Sequence, residues 1–101
     1  EARALRRLFG SHTNDVLVTA VKSMIGHTLG AAGGIESAIL ALSLSRGVIT
    51  PTINYDDPDP ECAVTVVAGS AREQRLKAGL KNSFGFGGTN ASLVLTRFEG
   101  R

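Results

Sequence analysis

Tryptophan is absent from this sequence, tyrosine occurs once and phenylalanine four times. Any core must therefore be built from Val, Leu, Ile and Ala. Cysteine also occurs once, as Cys62, which excludes an intramolecular disulfide and favours a reducing compartment. No long apolar run is present. The longest, residues 35–44, is broken by Glu36, Ser37 and Ser43 and falls short of the roughly 20 residues a membrane helix needs. Residues 1–10 are charged and lack the apolar stretch of a signal peptide. The chain reads as soluble, with no membrane partner. Charge of either sign is also in small excess only, the formal net value being +2. The basic residues gather as Arg3, Arg6 and Arg7, then Arg72, Arg75, Lys77 and Lys81. Such clusters suit a solvated face or an acidic partner. Without interleaved aromatics or a binding motif they do not point to nucleic acid.

What is there has the size of one small domain or of a piece of a larger one, at 101 residues. The sequence opens without methionine, inside helical spacing (Ala2, Leu5, Leu8, Phe9), which points to an excised or incomplete chain. That helix should stop at Gly10. Residues 16–21 (VLVTAV) form a β-branched run suited to a covered strand. A helix is expected over residues 30–46, with Gly47 as its stop signal. Its stripe of Ala31, Ile35, Ala38 and Leu42 is apolar, and Leu40, Ala41 and Leu44 occupy other faces. A helix apolar nearly all round is normally covered on all sides, more than so short a chain can supply, so this one expects a partner. Residues 48–60, with Pro51, Pro58, Pro60 and four Asp or Asn residues, read as extended loop. Residues 63–68 and 78–83 are strand candidates, residues 72–77 a connector, and residues 91–98 an alternating last strand. The order is that of a mixed α/β fold.

Two segments could carry chemistry. In Lys22-Ser23-Met24-Ile25-Gly26-His27, a lysine follows a strand end and a histidine sits in the turn feeding the long helix. A histidine there feels the positive end of the helix dipole. In its neutral form it can donate an N–H to a developing oxyanion; the alternative is a histidine that merely caps the turn. Lys22 and Glu36 could form a structural ion pair. In Asn82-Ser83-Phe84-Gly85-Phe86-Gly87-Gly88-Thr89-Asn90, three glycines surround two phenylalanines. The spacing fits neither a P-loop nor a dinucleotide fingerprint. Backbone N–H groups flanked by apolar rings suit acyl chemistry, and the alternative is a tight hairpin with both rings in the core. Cys62 is rejected as a nucleophile. The acidic loop before it, with Asp56, Asp57 and Asp59, opposes a negative sulfur, and no glycine turn and helix N-terminus follow to stabilise one.

Together, KSMIGHTLGAAGG and NSFGFGGTNASLV resemble the β-ketoacyl-acyl carrier protein synthases, specifically the elongating class with a cysteine and two histidines. The loop residues PTIN and DPDPEC extend the resemblance, which runs over residues 16–95. It implies the C-terminal part of a thiolase-like α/β fold, a mixed sheet with a buried central helix. Residues 1–101 would then be an incomplete C-terminal domain without its N-terminal half. By the same resemblance His27 matches the histidine that stabilises the enolate when a malonyl thioester decarboxylates. Lys22 matches a lysine near it, and Glu36 the glutamate linked with that lysine. Phe86 matches the gating phenylalanine, its backbone N–H serving as an oxyanion donor, and Phe84, Gly85, Gly87 and Gly88 shape the gate.

The nucleophilic cysteine would lie in the absent half and the first histidine upstream, since His12 sits in no such motif. The isolated chain is therefore expected not to condense. No cofactor and no metal are implied. The expected partners are acyl carrier protein, malonyl and acyl thioesters, the missing half and, for the whole enzyme, a second copy. The pathway would be fatty acid elongation and the setting cytoplasmic, or alternatively mitochondrial or plastid. A non-catalytic truncated paralogue that binds a synthase or an acyl carrier protein is the other reading.

Overall fold

The computed structural model describes residues 1–100. In chain order the elements are α1 (Ala2–Phe9), a 3₁₀ turn (Gly10–Asp15), β1 (Leu17–Val18), α2 (Lys22–Ile25) and a second 3₁₀ turn (Leu29–Ala31). These lead into α3 (Ala32–Arg46) and β2 (Val48–Ile49). A third 3₁₀ turn (Pro60–Cys62) precedes β3 (Thr65–Val66), β4 (Arg72–Glu73), β5 (Ala78–Phe84) and β6 (Asn90–Thr96). Two compact units result, one of residues 1–26 and 50–72, the other of residues 27–49 and 73–101.

In the first unit β1 and β3 pair in parallel, Leu17 opposite Thr65 and Val18 opposite Val66. Thr52 joins the other side of β3 by a parallel bridge to Ala68. The run of residues 16–21 is thus a shorter strand than its composition suggests. Its end is already winding, since Met24 N–H bonds back to Val21 O at 2.9 Å, and only Leu17 and Val18 remain extended and paired. Leu5, Val21 and Val67 are the buried apolar residues of this unit. Gly10 ends α1 with φ 56, a value that favours glycine. One of the basic residues is spent on the backbone, because Arg6 Nη2 donates to Ala63 O at 2.9 Å.

The second unit is α3 packed on the β5–β6 hairpin. The hairpin is antiparallel, in register from Ala78 opposite Thr96 to Phe84 opposite Asn90. Alternation along β5 turns Gly79, Lys81 and Ser83 to one face, and the contacts of these residues show that this face meets α3. Gly79 gives Leu40 room there, because a Cβ would overlap Leu40 Cδ1 and lie 3.2 Å from Leu40 Cγ, so that the leucine side chain would have to shift. Arg97 reaches across to donate from Nη1 to Leu44 O at 2.9 Å, satisfying a carbonyl that the helix end leaves free. Gly47 then stops the helix at φ 66, ψ 38, its N–H on Ser43 O. Replacing Gly47 by alanine is expected to lower stability by about 1–2 kcal/mol, read as a lower denaturant midpoint. The added methyl meets nothing closer than Gln74 O at 3.6 Å, so the loss would come from the backbone conformation.

The apolar stripe read from the sequence is the face this chain leaves open. Ala31, Ile35, Ala38 and Leu42 are all exposed, Leu42 by 51%. The covered face carries Ala32, Glu36, Ser37, Leu40 and Leu44 instead. On that face Leu40 lies against Gly79, and Gly33 and Ser37 share a cleft with Ser83. Within this chain the central helix is covered along one face rather than all round. No helix among the described residues is long and apolar enough to cross a membrane.

Candidate active site

His27 is exposed, two residues past α2 and five before α3. Its ring is held locally. Nδ1 lies 3.0 Å from the backbone nitrogen of Leu29 and accepts its N–H. An imidazole nitrogen that accepts carries no proton, so in the neutral ring the hydrogen is on Nε2, which is left to donate outward. The backbone must bend sharply to make this bond, and Leu29 does so at φ 53, a region leucine seldom enters. The turn is therefore strained in the act of aiming the imidazole.

Lys22 opens α2 in the other unit, and its carbonyl accepts the Gly26 N–H at 2.9 Å. Around it three hydroxyls stitch the loop of residues 50–54 to the end of β1. Ser23 Oγ accepts Ile53 N–H and donates to Ala20 O, both at 2.9 Å. Thr52 Oγ1 accepts Ala20 N–H at 2.8 Å, and Thr19 Oγ1 donates to Thr50 O at 2.5 Å. The PTIN wording is thus explained by backbone pairing. In the sequence, these hydroxyls among apolar neighbours are the signal for that pairing.

The glycine-aromatic turn caps the β5–β6 hairpin. Gly85 N–H donates to Thr89 O at 2.7 Å, and Gly87 and Gly88 take φ 83 and 84. Phe86 stands fully exposed at the tip and Phe84 is 59% exposed. The alternative that placed both rings in the core is excluded for this chain. The Phe86 N–H donates to no acceptor among the described residues.

Glu36 lies one turn into α3, its Oε1 3.1 Å from Lys81 Nζ, with side chains 12% and 10% exposed. Lys81 also donates to Ser83 Oγ and, at 3.4 Å, to Asn82 O. Grouping Lys81 with a solvated basic cluster is therefore wrong. A lone lysine alternating with Gly79 and Ser83 on a covered strand face was the sign, and Glu36 on a small-residue helix face is its complement. Leu40 on Gly79, Glu36 on Lys81 and a cleft shared by Gly33 and Ser83 run α3 and β5 in opposite senses. The start of α3 thus lies beside the end of β5. Glu36 and the strand end that leads into the 84–88 turn lie at this end of the unit, and the His27 turn precedes α3 in the chain. A larger cleft of about 430 Å³ lies at the other end of α3, among Arg46, Val48, Gln74, Arg75 and Arg97. No residue of either motif lines it. Cys62 is exposed at the end of its 3₁₀ turn, its N–H on Asp59 O.

The profile of the β-ketoacyl synthase C-terminal domain matches residues 1–56, a span that includes Lys22, His27 and Glu36. The chain belongs to this family. It is 46% identical over 97 residues to 3-oxoacyl-[acyl-carrier-protein] synthase 2 of Coxiella burnetii, covering 96% of the chain and 23% of that protein. It is 48% identical over 97 residues to the tetracenomycin polyketide synthase ketoacyl synthase alpha subunit of Streptomyces glaucescens, with the same coverage of 96% and 23%. Among solved structures it resembles a type II polyketide ketosynthase in complex with its acyl-carrier protein and bound to a hexaketide. There the TM-score is 0.94 and identity 33%, covering 97% of this chain and 24% of that one. The ketosynthase/chain length factor of ishigamide gives a TM-score of 0.91 and 36% identity, with coverage of 97% and 24%. The chain therefore spans about a quarter of the length of these relatives, and its α/β architecture is that of the C-terminal part of a thiolase-like ketosynthase.

Proposed function

We propose that this chain forms the C-terminal part of an elongating β-ketoacyl-acyl carrier protein synthase that joins an acyl thioester to malonyl-acyl carrier protein in fatty acid elongation. The observation that carries the reading is the orientation of His27, whose Nδ1 is occupied by Leu29 N–H and whose Nε2–H is left to donate. In the first half-reaction the acyl group moves from its carrier to a cysteine of the preceding half. Malonyl thioester then loses its carboxylate as carbon dioxide, and the bonding electrons pass into the thioester carbonyl as an enolate. His27 Nε2–H donates to that oxygen, stabilising the charge as it develops. The enolate carbon attacks the acyl-cysteine carbonyl. The tetrahedral oxyanion takes the Phe86 N–H, and collapse expels the cysteine thiolate and leaves the 3-oxoacyl carrier.

Lys22 and Glu36 keep the residue types that the family resemblance implies beside the histidine motif. The Phe86 ring acts as a gate, and Gly85, Gly87 and Gly88 supply the backbone freedom for it to swing. Acyl carrier protein as partner, homodimerisation and a cytoplasmic setting belong to the same reading. A solved relative pairs with its carrier, and the exposed free thiol of Cys62 suits a reducing compartment. A non-catalytic paralogue is disfavoured, because Lys22, His27, Glu36 and Phe86 are all retained.

The test is to incubate the full-length polypeptide that carries this sequence with acyl- and malonyl-acyl carrier protein. Formation of 3-oxoacyl carrier with release of carbon dioxide is expected. A folded full-length protein that binds both carriers and forms no product would refute the reading.

A further inference from the structure

We infer that Lys81 is a positioning residue of this site, holding the start of α3 against the end of β5 through Glu36 and Ser83. The inference rests on the reading above for the reaction, and on the geometry of one unit for the role.

At this end of α3 the ordinary means of holding a helix to a sheet is thin. Gly33 and Ser37 on the helix face Ser83 and Ala91 on the hairpin, and a cleft of about 190 Å³ remains between them. Side chains this small offer little apolar surface to fix the helix in register. Lys81 lines that cleft. Its Nζ lies 3.1 Å from Glu36 Oε1, donates to Ser83 Oγ, and reaches Asn82 O at 3.4 Å. It thus ties one carboxylate on the helix to two acceptors on the strand. Further along, Leu40 closes on Gly79 by packing.

Burying an ammonium and a carboxylate is a poor way to gain stability, since desolvation opposes the attraction. What a buried pair does well is select one register, because a slip takes the Lys81 ammonium away from its carboxylate. The register matters here for a specific reason. The segment entering α3 carries His27 and the segment leaving β5 carries Phe86, so the relative placement of the two donors follows from how α3 sits on β5. Ser83 is one residue from Phe84 and three from Phe86, so Lys81 grips the strand close to the gate. Misplacing catalytic donors by small distances costs rate far more than it costs binding.

The experiment compares the wild-type full-length protein with Lys81→Met, Lys81→Arg and Ser83→Ala, measuring condensation kcat, KM for the malonyl carrier and the melting temperature. For Lys81→Met, kcat should fall about tenfold or more while KM stays within about twofold, below the melting transition. Lys81→Arg, which keeps the charge, should recover most of that loss. A kcat for Lys81→Met within about twofold of wild type, with only the melting temperature lowered, would reduce Lys81 to a brace of the fold and overturn the inference. If Lys81→Met does not fold, Ser83→Ala decides, since it removes one partner without stranding a charge. Its kcat should fall about threefold or more at unchanged KM, and a wild-type kcat would overturn the inference. A wild-type protein that does not condense would remove the functional reading and this one together, whereas an active wild type with indifferent variants removes this one alone.

Discussion

Replacing His27 by alanine in the full-length protein is expected to lower the rate of malonyl decarboxylation about 10²–10³-fold, the range seen when one preorganised oxyanion donor is removed. Acyl transfer from the carrier to the enzyme should be much less affected. The two half-reactions separate because the His27 donor meets the enolate of the malonyl thioester, and the Phe86 N–H meets the oxyanion formed at the acyl-cysteine. The measurement is carbon dioxide release beside transfer of a radiolabelled acyl group. Equal loss in both would mean that His27 serves the folding of its turn rather than one chemical step. Two features limit that confusion. His27 is exposed, so its removal leaves no cavity, and its one backbone bond is the N–H of Leu29, which water can satisfy at an exposed site. Release of the strain held at Leu29, φ 53, would offset part of whatever stability the bond contributes.

The second large effect concerns stability. Glu36→Leu is expected to lower unfolding free energy by about 3–5 kcal/mol, because it leaves the Lys81 ammonium buried without a carboxylate. Lys81 is 10% exposed, and its other acceptors are a hydroxyl and a carbonyl, neither of which balances a full charge. The double variant Glu36→Leu with Lys81→Met should regain most of the loss, since two apolar side chains of similar volume replace two desolvated charges. Urea unfolding of the single and double variants in the full-length protein measures this directly. If the double variant is as unstable as Glu36→Leu alone, the lost carboxylate contact to Lys81 is not the source of the effect. Catalysis is expected to behave differently from stability. Restored folding in the double variant should come without restored turnover, because neither apolar side chain can hold the Ser83 hydroxyl.

Much of this molecule was legible in its sequence. The long helix is found where glycine punctuation and helical spacing put it, Ala32–Arg46, and it stops at the glycine that should stop it. The β5–β6 hairpin follows from two short β-prone segments separated by a glycine-rich turn. The loop of residues 48–60 is irregular for most of its length, with Val48 and Ile49 drawn into a strand, Thr52 into a bridge and Pro60 into a 3₁₀ turn. The motifs sufficed to suggest the family, because their residues are local, and a turn such as Leu29 bonding back to His27 lies within reach of three consecutive residues. Local chemistry of that kind is written in order along the chain.

The register of α3 on β5 was not written that way. From the sequence, the helix is apolar nearly all round and expects cover on every side, and hydrophobic periodicity cannot distinguish which face this chain itself covers. The face that this chain covers sets Leu40 against Gly79, where a Cβ would force the leucine side chain to shift. That face brings Glu36 to Lys81, a pairing 45 residues apart in sequence, and turns a lysine that looked solvated into a buried one. Sequence by itself determined which residues carry the chemistry and which local turns aim them. Only the tertiary structure decided which charges meet, because that depends on how closely two backbones can approach, and small side chains far apart in the chain set that distance.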